Sequence, residues 1–123
     1  MTDKSPAPPD SFWQSLDELI AGSTIVIERP KGSLHPVYRV KYPLDYGYLA
    51  KTRGSDGAAV DVWCGSLSPR TLVGIVNTCD LGKRDVEVKL LLGCTPAECE
   101  EIVDFQSSGR QRGLLISRQG DSE

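Results

Sequence analysis

Two runs rich in Val, Ile and Leu, Thr71–Thr78 and Asp85–Leu92, are connected through Asp80-Leu-Gly-Lys-Arg84, and this arrangement constrains the fold more than any other feature of the chain. Gly82 supplies the turn, so the two runs predict a β-hairpin. In the second run Val86, Val88, Leu90 and Leu92 alternate with Asp85, Glu87 and Lys89, which predicts one core face and one polar face. Further short strands are expected at Thr24–Glu28, around Val37–Lys41, at Ala59–Trp63 and at Gly113–Ser117. Ser11 ahead of Phe12–Ala21 predicts a capped helix with Phe12, Trp13, Leu16, Leu19 and Ile20 on one face and Gly22 as its stop. Thr95-Pro-Ala-Glu98 combines a capping box with proline at the first helical position and predicts a second helix to Phe105. Tyr42-Pro-Leu-Asp-Tyr-Gly-Tyr48 is so rich in turn formers that no regular element is expected there. Short strands at this spacing point to a mainly β, closed or partly closed barrel rather than a doubly wound sheet, with a sandwich left open.

A chain of 123 residues suffices for one hydrophobic core without covalent staples. The organisation expected is a Pro-rich lead-in over residues 1–10, one domain over 11–118 and a polar tail over 119–123. No apolar run reaches the ~18 residues of a membrane span and no export signal is visible, so the cytoplasm is the expected location. Cys64, Cys79, Cys94 and Cys99 show no C-x-x-C spacing and lie far in sequence from the single histidine, His35. They read as free, mostly buried thiols rather than as a zinc site.

The net charge of −3 argues against bulk nucleic-acid binding. Its distribution is uneven. Six basic residues (Arg29, Lys31, Arg39, Lys41, Lys51, Arg53) face one acid, Asp45, between positions 29 and 53, whereas the stretch from Asp56 to Asp104 is acid-rich. Two carboxylate pairs, Asp56 with Asp61 and Asp80 with Asp85, each stand where a strand meets a turn. If the four converge at one end of the barrel, their hard oxygen donors suit Mg²⁺. Aspartates at turns also cap backbone amides, so spacing alone leaves both roles open.

Four segments in order, Ile25-Val-Ile-Glu-Arg-Pro-Lys-Gly-Ser33, Tyr42-Pro-Leu-Asp-Tyr-Gly-Tyr48, Asp56-Gly-Ala-Ala-Val-Asp-Val62 and Gly74-Ile-Val…Asp80…Asp85, resemble the soluble (family I) inorganic pyrophosphatases. The resemblance runs from Thr24 to Phe105, and Y-P-x-D-Y-G-Y followed by D-G-x-x-x-D-V carries most of its specificity. It implies a closed five-stranded OB-like β-barrel with flanking α-helices, a homo-oligomer, and Mg²⁺-dependent hydrolysis of pyrophosphate, with Mn²⁺ as a substitute ion. By motif it implies Asp56, Asp61, Asp80, Asp85 and Glu28 as metal-binding residues, Asp56, Asp61 and Tyr46 as catalytic, and Tyr42 and Tyr46 at the phosphate. Arg39, Lys41, Lys83 and Lys89 are the cations expected to bind phosphate, with Arg84, Arg110 and Arg112 also available.

The sequence departs from the family pattern at specific places. Ala58 stands where an aspartate is expected, the usual candidate for handling the attacking water. Glu87 replaces an expected lysine, and Lys89, two residues on and on the same strand face, is the substitute. Val37-Tyr38-Arg39 replaces a Lys-Tyr-Glu type triplet, and Phe105-Gln-Ser-Ser108 occupies the place of a Tyr-Lys pair. Two other readings follow: a catalytically impaired pyrophosphate- or nucleotide-binding protein on the same fold, and an OB-like module that stacks oligonucleotide bases or binds protein through Trp13, Trp63 and the tyrosines.

Overall fold

The computed structural model describes residues 9–118, so the expected lead-in up to residue 8 and the tail from 119 lie outside it. Ser11 caps helix α1 (Phe12–Ala21) by accepting a hydrogen bond from the Gln14 amide at 3.1 Å, and Gly22 ends it. Six strands follow: β1 (Ile25–Arg29), β2 (Asp45–Leu49), β3 (Asp61–Cys64), β4 (Leu72–Asp80), β5 (Asp85–Leu92) and β6 (Gln111–Ser117). Helix α2 (Pro96–Phe105) lies between β5 and β6.

The strands form one sheet in the order β1-β2-β3-β5-β4-β6, antiparallel except for the parallel pair β3–β5. A closed five-stranded barrel was the expectation. Instead the sheet has six strands, and among the described residues its edges, β1 and β6, do not pair with each other. No residue of either edge strand is buried. Leu90, Leu91 and Leu92 are consecutive and all buried, which requires cover on both faces. One face meets α1, where Trp13, Leu16 and Ile20 pack on Leu49, Val62, Cys64, Leu72, Ile75, Leu90 and Leu92. The opposite face meets α2 through Trp63, Val76, Leu91 and Ile102, with Tyr42 and Leu44. The Arg118 guanidinium grips the Asp17 carboxylate at 2.7 and 2.8 Å and ties the end of β6 to α1.

Three local expectations change. Tyr42–Tyr48 is not irregular, because Asp45–Leu49 is strand β2, paired with β1 on one side and β3 on the other. Gly47 serves close approach there rather than a turn: any Cβ at this position would run into the Val26 carbonyl of β1. Around Val37–Lys41 there is no strand, only an isolated bridge between Leu34 and Lys41. His35 Nδ1 accepts from the amides of Val37 and Tyr38 at 3.0 and 3.1 Å, and Arg39 takes a left-handed conformation (φ 59°), so the backbone turns instead of extending. On β5 the alternation holds in geometry but not in burial: Val86 and Val88 are 64% and 46% exposed, whereas Lys89 is 6% exposed. The apolar cluster beneath α1 includes Leu90 and Leu92 but stops short of Val86 and Val88, while Tyr46, Asp61 and Glu87 gather around Lys89 on the other face.

All four cysteines are free, and Cys79 alone among them is exposed. At α2, Thr95 and Glu98 form the expected capping box, and both Glu98 carboxylate oxygens also accept from the Ser66 amide at 3.2 Å. Partial burial opposes the Glu98 charge, but the Thr95 and Ser66 donors outweigh it and hold its pKa below the usual glutamate value. A lowered carboxylate adds stability above its unfolded pKa and loses it as pH falls. Glu98→Ala is therefore expected to cost about 1–2 kcal/mol at neutral pH, narrowing towards zero below about pH 4. Thermal melts across that range check it; a pH-independent deficit would contradict the assignment.

Candidate functional site

The face of the sheet shared with α2 carries Tyr46 on β2, Asp61 on β3 and Lys89 on β5, with Asp61 and Lys89 direct partners across the parallel β3–β5 ladder. Neighbouring strands place in-register side chains on the same face, so a tyrosine, a carboxylate and an ammonium from three segments meet. The Lys89 ammonium donates to Tyr46 Oη at 2.9 Å, to Asp61 Oδ2 at 2.9 Å and to Glu87 Oε2 at 3.1 Å. It also lies 5.3 Å from the centroid of the Tyr46 ring. Burial disfavours the Lys89 charge, but Tyr46 and Asp61 more than compensate, so its pKa stands above the ordinary lysine value. Burial pushes the Tyr46 phenol upward as well, which keeps it neutral and able to donate.

An aromatic wall supports this group. Trp63 is fully buried, with ring centroids 4.6 Å from Tyr46, 6.0 Å from Tyr42 and 5.5 Å from Phe105. Its indole Nε1 donates to Gln106 Oε1 at 3.1 Å. Gln106 and Ser107 thus have structural work in the segment where a Tyr-Lys pair was expected: the Gln106 carbonyl accepts from Gln111 Nε2, and Ser107 Oγ accepts from the Gly113 amide.

The two carboxylates that hold the ammonium also border a small cavity of about 20 Å³, lined by Gly54, Ser55, Asp56, Ala59, Val60, Asp61, Glu87 and Val88. That volume accommodates roughly one water-sized particle. Asp56 Oδ1 accepts from the Ala58 amide at 3.0 Å, which holds the turn that brings it there, and Gly57 adopts the positive φ of 87° that the turn requires. Ala58 itself is exposed on this loop.

The remaining candidates lie elsewhere on the sheet and its loops. Asp85, Glu87 and Lys89 share one strand face, so Asp85 and its cross-strand partner Asp80 look onto the same side of the sheet as Asp61. They stand four residues from Lys89 along β5, about 13 Å. Asp80 Oδ1 accepts from the amides of Gly82 and Lys83 at 2.8 and 3.1 Å and braces the hairpin turn. Glu28 is the extra residue of a β-bulge between the pairs Ile27–Gly47 and Arg29–Tyr46, and it is exposed. Among the described residues no three His, Cys, Asp or Glu side chains are gathered so as to hold a metal ion. Arg39, Lys41, Lys83 and Arg84 are exposed cations on loops, and Tyr42 is buried against Phe105 and Trp63. Sequence reasoning passed over Glu87 as a mere loss of a lysine; its position two residues before Lys89 on one strand face is the signal that marks it. A wider, open groove of about 420 Å³ beside α1 is lined by Pro9, Asp10, Gln14, Asp17 and Glu18, an acidic surface unsuited to a polyanion.

An open, mainly antiparallel sheet with a helix on each face is the fold this chain shares with the inorganic pyrophosphatases. Three solved structures carry that statement. The inorganic pyrophosphatase of Helicobacter pylori matches with a TM-score of 0.55 at 20% identity, over 79% of this chain and 84% of that one. An inorganic phosphatase of Anaplasma phagocytophilum matches with a TM-score of 0.55 at 16% identity, over 76% and 81% of the two chains. The inorganic pyrophosphatase of Coxiella burnetii matches with a TM-score of 0.54 at 16% identity, over 76% and 82%. No family model matches the sequence, and no curated protein matches it. Among the described residues no helix is long and apolar enough to cross a membrane.

Proposed function

We propose that this protein hydrolyses inorganic pyrophosphate, or a closely related small phosphoanhydride, on the α2-side face of its sheet. The observation that carries the reading is the buried Lys89 held by Asp61, Glu87 and Tyr46, with Asp61 and Glu87 joining Asp56 along a one-water cavity, on a fold shared with inorganic pyrophosphatases. Asp61 and Glu87, drawn together on Lys89, offer two carboxylates, the small number that Mg²⁺ uses alongside waters and phosphate oxygens. Asp61 and Glu87 would thus hold Mg²⁺, or Mn²⁺ in its place, with Asp56 on the neighbouring loop, Asp80 and Asp85 further along the same sheet face and Glu28 at the β1 bulge. Such an ion neutralises phosphoryl charge and makes a bound water more acidic.

The chain's own groups do the rest. With alanine at position 58, proton acceptance from the attacking water falls to Asp56 or Asp61, the two loop-proximal carboxylates. Neutral Tyr46 shares its hydroxyl proton with Asp61 and can turn it to a phosphate oxygen. Tyr42 stiffens Tyr46 through ring stacking at 5.6 Å. Exposed Arg39, Lys41 and Lys83 add positive potential that attracts a polyanion. The same reading makes this a cytoplasmic protein that does not bind nucleic acid. Exposed Val86 and Val88 on β5 and Leu114 and Ile116 on β6 share one face of the sheet on either side of β4 and support assembly with further copies.

A phosphate-release assay with pyrophosphate and Mg²⁺ tests the proposal. The wild type is expected to exceed an Asp56→Asn/Asp61→Asn variant by roughly 100-fold or more. Equal release from the two proteins overturns it.

A further inference from the structure

An ammonium has three N–H donors, and all three of Lys89 are engaged, by Tyr46 Oη, Asp61 Oδ2 and Glu87 Oε2. Lys89 is 6% exposed, whereas the side chains of Asp61 and Glu87 are 31% and 26% exposed. The two carboxylates therefore converge on a buried cation from below while their outer edges reach water. This is an environment built to hold positive charge, and the protein fills it with its own side chain. Lys89 is also unavailable to phosphate as it stands, since it has no donor left to give.

We infer that Lys89 is a resident counter-ion which competes with divalent metal for Asp61 and Glu87, so that metal binds weakly to the free protein and tightly only together with an anion. A second cation brought to the same carboxylates meets the repulsion of a buried ammonium that water screens poorly. A phosphoanhydride removes that obstacle, because its oxygens accept the Lys89 donors and release the carboxylates towards the ion. Lys89 is then a positioning and selecting residue: it couples cation to anion and keeps the metal-only state sparsely filled. The inference deepens the reading of this face as the metal-bearing one.

Its test uses Mn²⁺ alone, followed by the loss of free-ion signal in electron paramagnetic resonance, and so needs no turnover. Lys89→Met is expected to bind Mn²⁺ at least tenfold more tightly than the wild type, Lys89→Arg to match the wild type, and Lys89→Met/Asp61→Asn to lose the gain. In the wild type the non-hydrolysable imidodiphosphate is expected to tighten Mn²⁺ binding by tenfold or more, and in Lys89→Met by less. Lys89→Gln, which retains amide donors to Asp61 without the charge, repeats the measurement should the methionine variant fail to fold; circular dichroism establishes which variants are folded. Mn²⁺ affinity unchanged or weaker in the folded neutral variants overturns the inference, as does a gain that survives Asp61→Asn. The two readings fail separately: a wild type that releases no phosphate while Lys89→Met gains Mn²⁺ defeats the hydrolase and leaves the role of Lys89 standing.

Discussion

Asp61→Ala is expected to destabilise the protein by about 2–3 kcal/mol, and removing Lys89 at the same time is expected to restore part of that loss. The substitution leaves the buried ammonium with Glu87 and Tyr46 only. Breaking a fully buried ion pair costs roughly 3–5 kcal/mol, and the 31% exposure of Asp61 lets water recover some of it. Asp61→Ala/Lys89→Met removes the stranded charge, so a double-mutant cycle should show a coupling of about 1–2 kcal/mol. A drop in melting temperature of roughly 8–15 °C for the single variant is the corresponding thermal signature. The pH dependence follows from the direction of the Lys89 shift. A lysine whose pKa rises on folding adds stability at every pH below its unfolded value and loses it only as pH climbs through the folded one. The deficit of Asp61→Ala is therefore flat between about pH 6 and about pH 9. Chemical denaturation at several pH values measures both quantities. Strict additivity of the two substitutions would show that the contact carries no energy.

Trp63→Ala is expected to have the larger effect on stability, about 4 kcal/mol or more. The indole is fully enclosed by Tyr42, Tyr46 and Phe105, and β3 has no slack to collapse into the space because it pairs with β2 on one side and β5 on the other. Truncation removes dispersion contacts on every side and also orphans the buried Gln106 side-chain oxygen Oε1, which accepts from the indole Nε1. Trp63→Phe refills most of the volume without the hydrogen bond and should cost about 1–2 kcal/mol less than the alanine variant. Urea unfolding followed by far-ultraviolet circular dichroism resolves the two. A loss below about 2 kcal/mol for Trp63→Ala would mean that the aromatic wall is not a rigid support. Because Tyr46 leans on Trp63, the same variant should also loosen the tyrosine that faces Lys89.

Local chemistry made much of this architecture readable in advance. The two helices, their Ser11 and Thr95 caps and the β4–β5 hairpin follow from nearest-neighbour effects: a hydroxyl that satisfies an orphan amide, a proline that tolerates the first turn, a glycine between two aliphatic runs. The inner strands β3 and β5 were legible for the same reason, as short β-branched and leucine-rich segments. The Val37–Lys41 segment misled because its alternation is that of a strand. Its backbone is claimed by the His35 side chain and by a left-handed Arg39, which no periodicity reveals.

The candidate site divides along the same line. Asp56, Asp61, Tyr46 and Lys89 were visible as residues of suitable chemistry near strand ends, and the resemblance of their motifs selected them. Their mutual distances were not visible, because Asp61 and Lys89 are 28 residues apart and Tyr46 and Lys89 are 43 apart. Only the parallel β3–β5 pairing decides that Asp61 faces Lys89 rather than Asp85, and that Glu87 becomes the second carboxylate. Burial was equally non-local. Nothing in Asp85-Val-Glu-Val-Lys-Leu reveals which face of β5 water reaches, and the aliphatic face at Val86 and Val88 is the wetter of the two.

By itself, the order of residues determined which elements form and which chemical groups the protein has to offer, since caps, turns and strand propensity act over a few neighbours. The three-dimensional packing decided that the sheet stays open, that Asp45–Leu49 is a strand and that a lysine sits between the two carboxylates. Those outcomes depend on pairing energies between segments far apart in the chain, and such energies exist only once the segments have met.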